Sequence, residues 1–320
     1  MFSRVLTAGI VTLMAWVPCS FAADAHGPTF LDPAEAGPDY AVQGEYIGDN
    51  SGAQVIALGN GKFHVVGWAH GLPGAAPDAE KKIEADAQRE GDVVKLAQEE
   101  WNGTISGGNI TATNRDGNSH TLTKTERHSP TEGAKAPAGA VVLFDGANAE
   151  AWEGGRMDER HLLAGGTKTK QAFRNFTLHI EFRTPFMPEA RGQGRGNSGV
   201  YLQNRYEVQV LDSFGLKGED NECGGIYHQA KPLVNMCFPP LTWQTYDIDF
   251  TAAQFDGAGM KTKPAVVTVR HNGVVIHDQR EITGVTPGSG LKETAEPGPI
   301  LLQNHGNPVF FRNVWVVEKP

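Results

Sequence analysis

Apolar and polar residues alternate along short segments over most of this chain, which is the pattern of β-strands with one buried face. The clearest case is residues 198–212, where Glu207 and Gln209 alternate with valines. This stretch predicts two strands joined by a short turn at Asn204-Arg205. Asp212 follows three residues after Gln209, and a one-residue bulge would turn it onto the face of Glu207. The pattern predicts a polar sheet face that carries two carboxylates and an amide.

Two hairpins are predicted within residues 40–128, which have the pattern of a small β-domain. Asn60-Gly61 lies between two alternating segments and supplies the positive-φ pair of a type I′ turn. Residues 115–118 separate two threonine-rich segments and predict a second turn. Residues 78–98 fit either a helix or two strands, and the alternation of apolar residues before Gly91 favours two strands.

The N-terminus has the features of a Sec-type signal peptide. Arg4 precedes an apolar run that ends in small residues, so residues 1–22 are predicted to be removed from an exported, periplasmic or secreted protein. The run is too short to span a bilayer, and no other run is long enough. Residues 23–39 are predicted to be extended, and residues 129–138 have the composition of a linker.

Strand patterns recur at close intervals through residues 139–320. Asn272-Gly273 marks another tight hairpin, and no segment calls for a helix longer than a turn or two. Many antiparallel strands in a block of this size predict two packed sheets. The predicted fold is therefore all-β: a two-sheet, concanavalin-like jelly-roll sandwich with a smaller N-terminal β-domain.

Charge and cysteine content narrow the classes of function. The 320 residues carry a formal net charge of −9, which argues against nucleic acid as a partner because binding it needs a basic surface. The predicted mature chain keeps two cysteines, Cys223 and Cys237. An even pair in an exported protein favours a disulfide, while two free thiols or a zinc site that includes His228 are the alternatives.

The polar residues of the predicted central strands and their loops form a candidate carbohydrate site. Amides and carboxylates bind sugar hydroxyls, and aromatic rings pack against the apolar face of a sugar. The alternative is that these are ordinary solvent-facing residues of a half-exposed sheet. The candidate binding residues are Asn197, Tyr201, Gln203, Gln209, Tyr227 and Gln303, and the candidate catalytic residues are Glu207, Asp212, His228 and His305. The glycine-rich loop before residue 199 could close over a ligand.

The spacing of Glu207, Gln209 and Asp212 resembles the Glu-x-Asp-x-x-Glu signature of the laminarinase and lichenase glycosidases. The chain departs from that signature at its second and third positions. An amide cannot replace the central acid, and retaining hydrolysis needs two carboxyl groups about 5 Å apart. Conventional glycoside hydrolysis is therefore an alternative function, disfavoured by these departures.

A second resemblance covers residues 139–320 and rests on several separated motifs in order. They are LFDG from Leu143, NSGVYLQNRYEVQVLDS from Asn197, CGGIY from Cys223, WQTYDIDF from Trp243, NGV from Asn272, and ILLQNHG with VFFRNVW near the C-terminus. In these motifs the chain resembles the 3-keto-disaccharide hydrolase domain family.

This resemblance implies an exported enzyme that cleaves glycosides oxidised to a ketone at C3. The ketone acidifies the C2 proton, so a base can remove it, the C1–O bond can break by elimination, and water can add back. Glu207 or His305 could be the base, and Asp212 or His228 could assist. A histidine, an arginine or a divalent cation could polarise the ketone, although no cofactor is certain. A non-catalytic glycan-binding module is the other alternative.

Overall fold

The computed structural model describes residues 27–75, 82–98 and 101–320, so the predicted signal peptide lies outside the described residues. The first unit is an eight-stranded antiparallel barrel in which each strand pairs with its neighbours in chain order and β8 pairs with β1. The elements are α1 (Gly37–Val42), β1 (Gly44–Gly48), β2 (Ser51–Gly59), β3 (Lys62–Ala69), β4 (Lys82–Glu90), β5 (Val93–Ala97), β6 (Trp101–Ser106), β7 (Asn109–Asn114) and β8 (Ser119–Thr125).

The hairpins predicted in this unit are confirmed. Asn60 and Gly61 have φ values of 56° and 72°, as a type I′ turn between β2 and β3 requires. Residues 115–118 connect β7 to β8, and Gly91 lies in the turn between β4 and β5. One expectation was wrong: the segment predicted to be extended through residue 39 ends in α1. Pro38 lies in the first turn of that helix, where its fixed φ suits the helix and its missing N–H costs nothing.

The second unit is a sandwich of two antiparallel sheets, which confirms the predicted fold class. One sheet has the order β10-β12-β21-β14-β15, and the other has the order β11-β22-β13-β16-β19-β20 with β9 beside β22, while β17 and β18 pair in a separate two-stranded sheet. The strands are β9 (Val141–Phe144), β10 (Trp152–Glu153), β11 (Leu163–Ala164), β12 (Thr167–Thr169), β13 (Asn175–Arg183), β14 (Ser198–Leu202), β15 (Tyr206–Val210), β16 (Gln244–Thr251), β17 (Gln254–Phe255), β18 (Lys261–Lys263), β19 (Ala265–His271), β20 (Val274–Ile282), β21 (Leu301–Leu302) and β22 (Phe310–Lys319). In the described part of the chain, no helix is long and apolar enough to cross a membrane.

The core of the sandwich decides which residues of β14 and β15 face outward. Val200 and Val208 are fully buried in one cluster with Ile248 of the opposite sheet. Because neighbouring side chains of a strand point to opposite faces, Tyr201 and Glu207 point away from that core. Tyr201 and Glu207 therefore lie on the outer face of the five-stranded sheet, and the candidate site is on that face.

The predicted linker at 129–138 packs against the seven-stranded sheet. Its first part, residues 129–134, is called the strap here. Thr131 Oγ1 donates to Asp247 Oδ2 at 2.6 Å, and the Gly133 N–H donates to Glu181 Oε1 at 2.6 Å. Ser129 is buried and shares a hydrogen bond of 2.6 Å with Thr245. The chain between the two units is therefore fixed to the surface of β13 and β16.

Glu181 is the centre of this attachment. Its carboxylate accepts from Arg312 Nε at 2.6 Å and from Asn313 Nδ2 at 2.8 Å, in addition to the strap. Burial alone would raise the pKa of Glu181, but hydrogen bonds from His179, Asn313 and Arg312 outweigh it and lower the pKa to about 2. The folded state therefore holds this carboxylate ionised over the whole physiological range.

We expect Glu181→Gln to destabilise the protein by about 3 kcal/mol at pH 7, because it removes the buried charge to which His179, Asn313 and Arg312 donate and leaves Arg312 with Glu132 alone. Glu181 has an ordinary pKa of 4.5 and a folded pKa of about 2, so its contribution is present above pH 4.5 and is lost as the pH falls toward 2. Urea unfolding of both proteins between pH 3 and pH 7 measures this difference. Glu281→Gln, an exposed carboxylate of β20, is the control, and an equal effect of the two changes would contradict the assignment.

Candidate functional site

Glu207 lies on β15, the last strand of the five-stranded sheet, and its side chain is on the outer face but only 2% exposed. Its carboxylate lies over Gly199 of the neighbouring strand. A Cβ atom at residue 199 would lie 2.1 Å from Glu207 Oε1, closer than any real contact. A glycine in a strand interior marks such a close approach. The side chain of Glu207 therefore takes its position only because residue 199 has no side chain.

Tyr201 lies directly opposite Glu207 in the register of β14 and β15. Its hydroxyl donates to Glu207 Oε2 at 2.7 Å and accepts from Gln303 Nε2 at 3.2 Å. Burial and the neighbouring Glu207 carboxylate raise the pKa of Tyr201 far above its ordinary value, so it remains a neutral phenol. The three side chains form one hydrogen-bonded row across β15, β14 and the end of β21.

Glu207 differs from the other buried carboxylates in the side chain that contacts its carboxylate. Among the described residues four carboxylates are buried, and three of them contact an arginine: Glu45 with Arg127, Glu181 with Arg312, and Asp212 with Arg195. The hydrogen-bond donor to Glu207 is the neutral phenol of Tyr201. Burial therefore raises the pKa of Glu207 to about 7, although the Tyr201 hydrogen bond opposes this. A carboxylate that is about half ionised at neutral pH is suited to accept and return a proton.

Amide side chains lie on one side of this carboxylate. Gln193 belongs to the short 3₁₀ turn Gly192–Gly194, and its Oε1 accepts from Asn197 Nδ2 at 3.0 Å and from Gln209 Nε2 at 3.2 Å. Asn197 Oδ1 and Gln303 Oε1 are buried and have no hydrogen-bond partner in the structure. Buried acceptors are normally satisfied, so these two oxygens are unused hydrogen-bond acceptors beside the row.

Two segments flank Glu207 on its other sides. Thr286 follows β20, and its Oγ1 accepts from the Glu207 N–H at 2.9 Å. The Tyr227 N–H donates to the Glu207 carbonyl at 3.2 Å, which places Tyr227 beside β15. Burial and then the charge of Glu207 raise the pKa of Tyr227, whose half-buried ring contacts the ring of His228 at 4.3 Å between centroids. The ring of Tyr227 provides an apolar surface of the kind against which sugars pack.

Asp212 does not join this face, because β15 ends at Val210. The predicted bulge is absent, and the carboxylate instead forms an ion pair of 2.7 Å with Arg195 Nε, with both side chains buried. Burial raises the pKa of Asp212 and Arg195 opposes it. The prediction that Asp212 shares the face of Glu207 was therefore wrong.

Three other candidates lie outside the hydrogen-bonded row. Gln203 is in the turn after β14 with φ 54°, and its Nε2 donates to the Phe173 carbonyl at 2.9 Å, which is a structural contact. His228 is exposed, with Nδ1 4.0 Å from Asp220 Oδ1. His305 is exposed in the loop after β21, two residues beyond Gln303. Both histidines lie close in sequence to residues of the site, and their participation stays a prediction.

The predicted disulfide is absent, because Cys223 and Cys237 are free thiols in the structure. Both are buried in the core of the sandwich, where free cysteine packs as a small apolar residue. Cys223 Sγ lies 3.2 Å from the Tyr246 hydroxyl, and Cys237 Sγ lies 3.6 Å from the Leu211 carbonyl. The irregular segment around them is part of the core, which its sequence did not indicate.

A divalent metal ion is not supported by the arrangement of side chains. Among the residues that the structure describes, no group of three or more His, Cys, Asp or Glu side chains is placed to hold a metal ion. The row around Glu207 supplies one carboxylate, a phenol and amides. These donors fit the hydroxyl groups of a ligand better than a hard cation, which prefers several oxygen ligands that include carboxylates.

The sequence interpretation missed three contributors to the site. Gly199 carries the clearest signal, since a glycine inside a strand pattern indicates a close approach. Gln193 lies in the glycine-rich loop that was expected to close over a ligand, although no pattern distinguishes it from its neighbours. Thr286 lies about 80 residues from Glu207 in sequence, and only the folded chain places them together.

The fold and this row of side chains define a β-sandwich with a polar, loop-flanked face of the kind that binds sugars. The sequence profile of a family described as the 3-keto-alpha-glucoside-1,2-lyase-like domain matches residues 139–317. The chain belongs to this family, whose members act on carbohydrates.

Solved structures are also similar to this chain. A crystal structure named as a candidate glycosyl hydrolase from Parabacteroides distasonis is 38% identical, with a TM-score of 0.54 over 57% of this chain and 85% of that one. Two more structures from the same organism, also named as candidate glycosyl hydrolases, are 18% and 20% identical, with TM-scores of 0.41 and 0.40. They cover 57% and 56% of this chain, and 94% and 99% of their own. A search of curated proteins gives no significant match.

We expect Gly199→Ala to turn the Glu207 side chain away from Tyr201, because the new methyl group would occupy the place of Oε1. A crystal structure of the variant measures the distance from the Tyr201 hydroxyl to Glu207 Oε2, which is 2.7 Å in the parent. Gly257→Ala is the control, since a Cβ there meets no atom within 4 Å. An unchanged distance in Gly199→Ala would show that Glu207 does not depend on this glycine.

Proposed function

We propose that this protein cleaves glycosides whose sugar carries a ketone at C3, and that Glu207 is the base that removes the C2 proton. The observation that supports this proposal is the buried carboxylate without a cationic partner, whose pKa is raised to about 7. A base that removes a carbon-bound proton at neutral pH needs a pKa near the working pH. Membership of a family described by 3-keto-glucoside 1,2-lyase activity supports the same substrate class.

In the first step, Glu207 takes the proton from C2, and the electrons of the C2–H bond form the C1–C2 double bond. The C1–O bond breaks, and the aglycone leaves as an alcohol after its oxygen receives a proton. Addition of water across the double bond would return the 3-keto sugar, so the net reaction is then hydrolysis. The carbonyl at C3 makes the first step feasible because it stabilises negative charge that develops at C2.

Each neighbour of Glu207 has a part in this proposal. Tyr201 holds the carboxylate in place and donates to its ionised form, which limits how far burial raises the pKa. The unpartnered oxygens of Asn197 and Gln303 accept hydrogen bonds from sugar hydroxyls, and Tyr227 packs against the ring. His228 and His305, which are exposed near the site, are the candidates that protonate the leaving oxygen.

Conventional retaining hydrolysis is less well supported. It needs a second carboxyl group about 5 Å from the first, on the same side of the sheet. The nearest candidate in sequence, Asp212, is paired with Arg195 and buried away from the face. A glycan-binding module without catalysis would have no use for a carboxylate with a raised pKa. As part of the same proposal, the enzyme is exported by its N-terminal signal peptide and acts outside the cytoplasm.

We expect Glu207→Gln to lower turnover of a 3-keto-glucoside by about 10²- to 10⁴-fold, because the amide cannot accept the C2 proton. The variant should also stop exchange of the C2 hydrogen with deuterium in heavy water, measured by NMR. Burial raises the pKa of Glu207 above its ordinary 4.5, so ionisation opposes folding as the pH rises through 7. The variant should therefore be at least as stable as the parent at pH 8.

Glu281→Gln serves as the matched control and should keep full activity. The unoxidised glucoside should not be cleaved by any of the three proteins. Cleavage of both sugars by the parent would support conventional hydrolysis, and binding of the 3-keto sugar without turnover would support a glycan-binding module. Full activity of Glu207→Gln would remove this residue from the catalytic set.

The pH dependence of kcat/KM gives a second test. Since Glu207 must be ionised to act as the base, the rate should rise with pH and reach half of its plateau near pH 7. Tyr201→Phe removes a hydrogen bond that lowers the pKa of Glu207, so the midpoint should move to higher pH while turnover at the plateau persists. A midpoint that is identical in both proteins would show that Tyr201 does not position or tune the carboxylate.

A further inference from the structure

The N-terminal barrel encloses a cavity of about 300 Å³ that the proposed chemistry does not use. Val65, Leu96, Ile110 and Leu122 line it with apolar side chains from four strands. Protein interiors are normally packed as densely as organic crystals, and voids larger than a water molecule are few. Eight-stranded barrels are wide enough either to fill with side chains or to hold one small ligand.

The size of inward-facing residues explains where this space arises. Elsewhere in the barrel, Phe63 and Ile105 point inward and fill the interior as part of one buried cluster. Around the cavity the residues are small: Ala53, Ala85 and Ala112, with Gly103. These small residues lie on β2, β4, β7 and β6, so the space is surrounded by rigid, hydrogen-bonded strands. The cavity is therefore built into the sequence of the barrel.

The open end of the cavity carries larger and partly polar groups. The rings of Trp101 and His120 lie 5.5 Å apart between centroids. Ile83 also lines the cavity and is 43% exposed. Asp49 and Asn102 contribute polar groups to the lining. An aromatic and apolar entrance with a polar rim is the usual form of a site for a small molecule.

One polar atom points to the chemistry of the ligand. Gln98 Oε1 is buried and has no hydrogen-bond partner, and Gln98 lines the cavity. A buried acceptor without a partner destabilises the protein unless a ligand or water supplies a donor. None of the described residues that line the cavity is a lysine or an arginine. Asp49 is exposed at the rim, and burying a charge in the apolar interior would be costly, so the ligand that fits is a neutral molecule with an apolar body and one O–H or N–H donor.

The volume of the cavity limits the size of the ligand's apolar part. An apolar cavity of about 150 Å³ holds benzene, so a cavity of about twice that volume holds about two six-membered rings. We propose that the barrel is a second binding site, separate from the sandwich, for a neutral aryl alcohol of about two rings. The ligand donates its hydroxyl hydrogen to Gln98 Oε1 and packs its rings against the apolar lining.

Calorimetric titration of the full chain with 2-naphthol and with naphthalene tests this proposal. We expect one molecule of 2-naphthol to bind per chain, about tenfold more tightly than naphthalene, because only the alcohol satisfies Gln98. Gln98→Leu should remove this preference and leave naphthalene binding largely unchanged. Glu207→Gln should bind both probes as the parent does, which separates this site from the sandwich.

Two substitutions that fill the cavity locate the binding site. Ala85→Phe and Ala112→Phe each place a ring inside the barrel, and each should abolish binding of both probes. Thr104→Phe adds the same ring to an exposed position of β6 and should bind normally. Circular dichroism shows which variants fold. Ala85 and Ala112 lie on different strands, so if one of the two variants fails to fold, the other still tests the proposal.

The proposal is overturned if the parent chain binds neither probe at millimolar concentration. It is also overturned if a folded inward variant binds both probes as the parent does, since the probes would then lie outside the barrel. Equal affinity of the parent for 2-naphthol and naphthalene would remove Gln98 from the site and with it the assigned ligand class.

Discussion

The site depends on one constraint: Glu207 ionises in a place where burial opposes its charge and no cation compensates for it. Three features maintain this condition. Gly199 leaves room for the carboxylate directly over the backbone of β14, Tyr201 supplies a neutral donor, and the flanking segments at Thr286 and Tyr227 limit contact with water. A cluster of donors like that around Glu181, where His179, Asn313 and Arg312 all donate to the carboxylate, would lower the pKa to about 2. A single arginine is not enough, since Asp212 pairs with Arg195 and its pKa is still raised by burial. The set of donors around a buried carboxylate thus decides whether it stays fully ionised, like Glu181, or is about half ionised at neutral pH, like Glu207.

The sandwich supports this site from the opposite face. The alternation that turns Val200 and Val208 into the core also turns Tyr201 and Glu207 outward, so packing of the core fixes the register of the polar row. A slip by one residue would exchange the two sets of side chains and expose the valines. The strap holds the other sheet in a comparable way, because Glu181 joins the strap to β13 and β22 through buried hydrogen bonds. Apolar packing sets the register of the strands, and polar contacts such as those of Glu181 hold segments, such as the strap, that apolar packing does not hold.

Local patterns in the sequence predicted the strands, the tight turns and the polar face, because each of these follows from residues a few positions apart. Asn60-Gly61 and the alternation around Glu207 are examples. The contacts made across long sequence distances could not be predicted in this way. Asp212 was placed on the wrong face because its partner, Arg195, lies 17 residues away in a loop whose path only the fold determines. Burial of the segment that holds Cys223 and Cys237 was hidden for the same reason, since nothing in its own composition indicates a core.

The two proposed sites use different residues, and one piece of chemistry connects them. In the proposed reaction the aglycone leaves as an alcohol, and a neutral alcohol on an apolar, aromatic body is the class of ligand proposed for the barrel cavity. The unpartnered oxygen of Gln98 and the small residues around it favour such a molecule whether or not it comes from the sandwich. Because each chain offers one such site, the barrel would hold at most one released aglycone, and it leaves the equilibrium of cleavage over many turnovers unchanged.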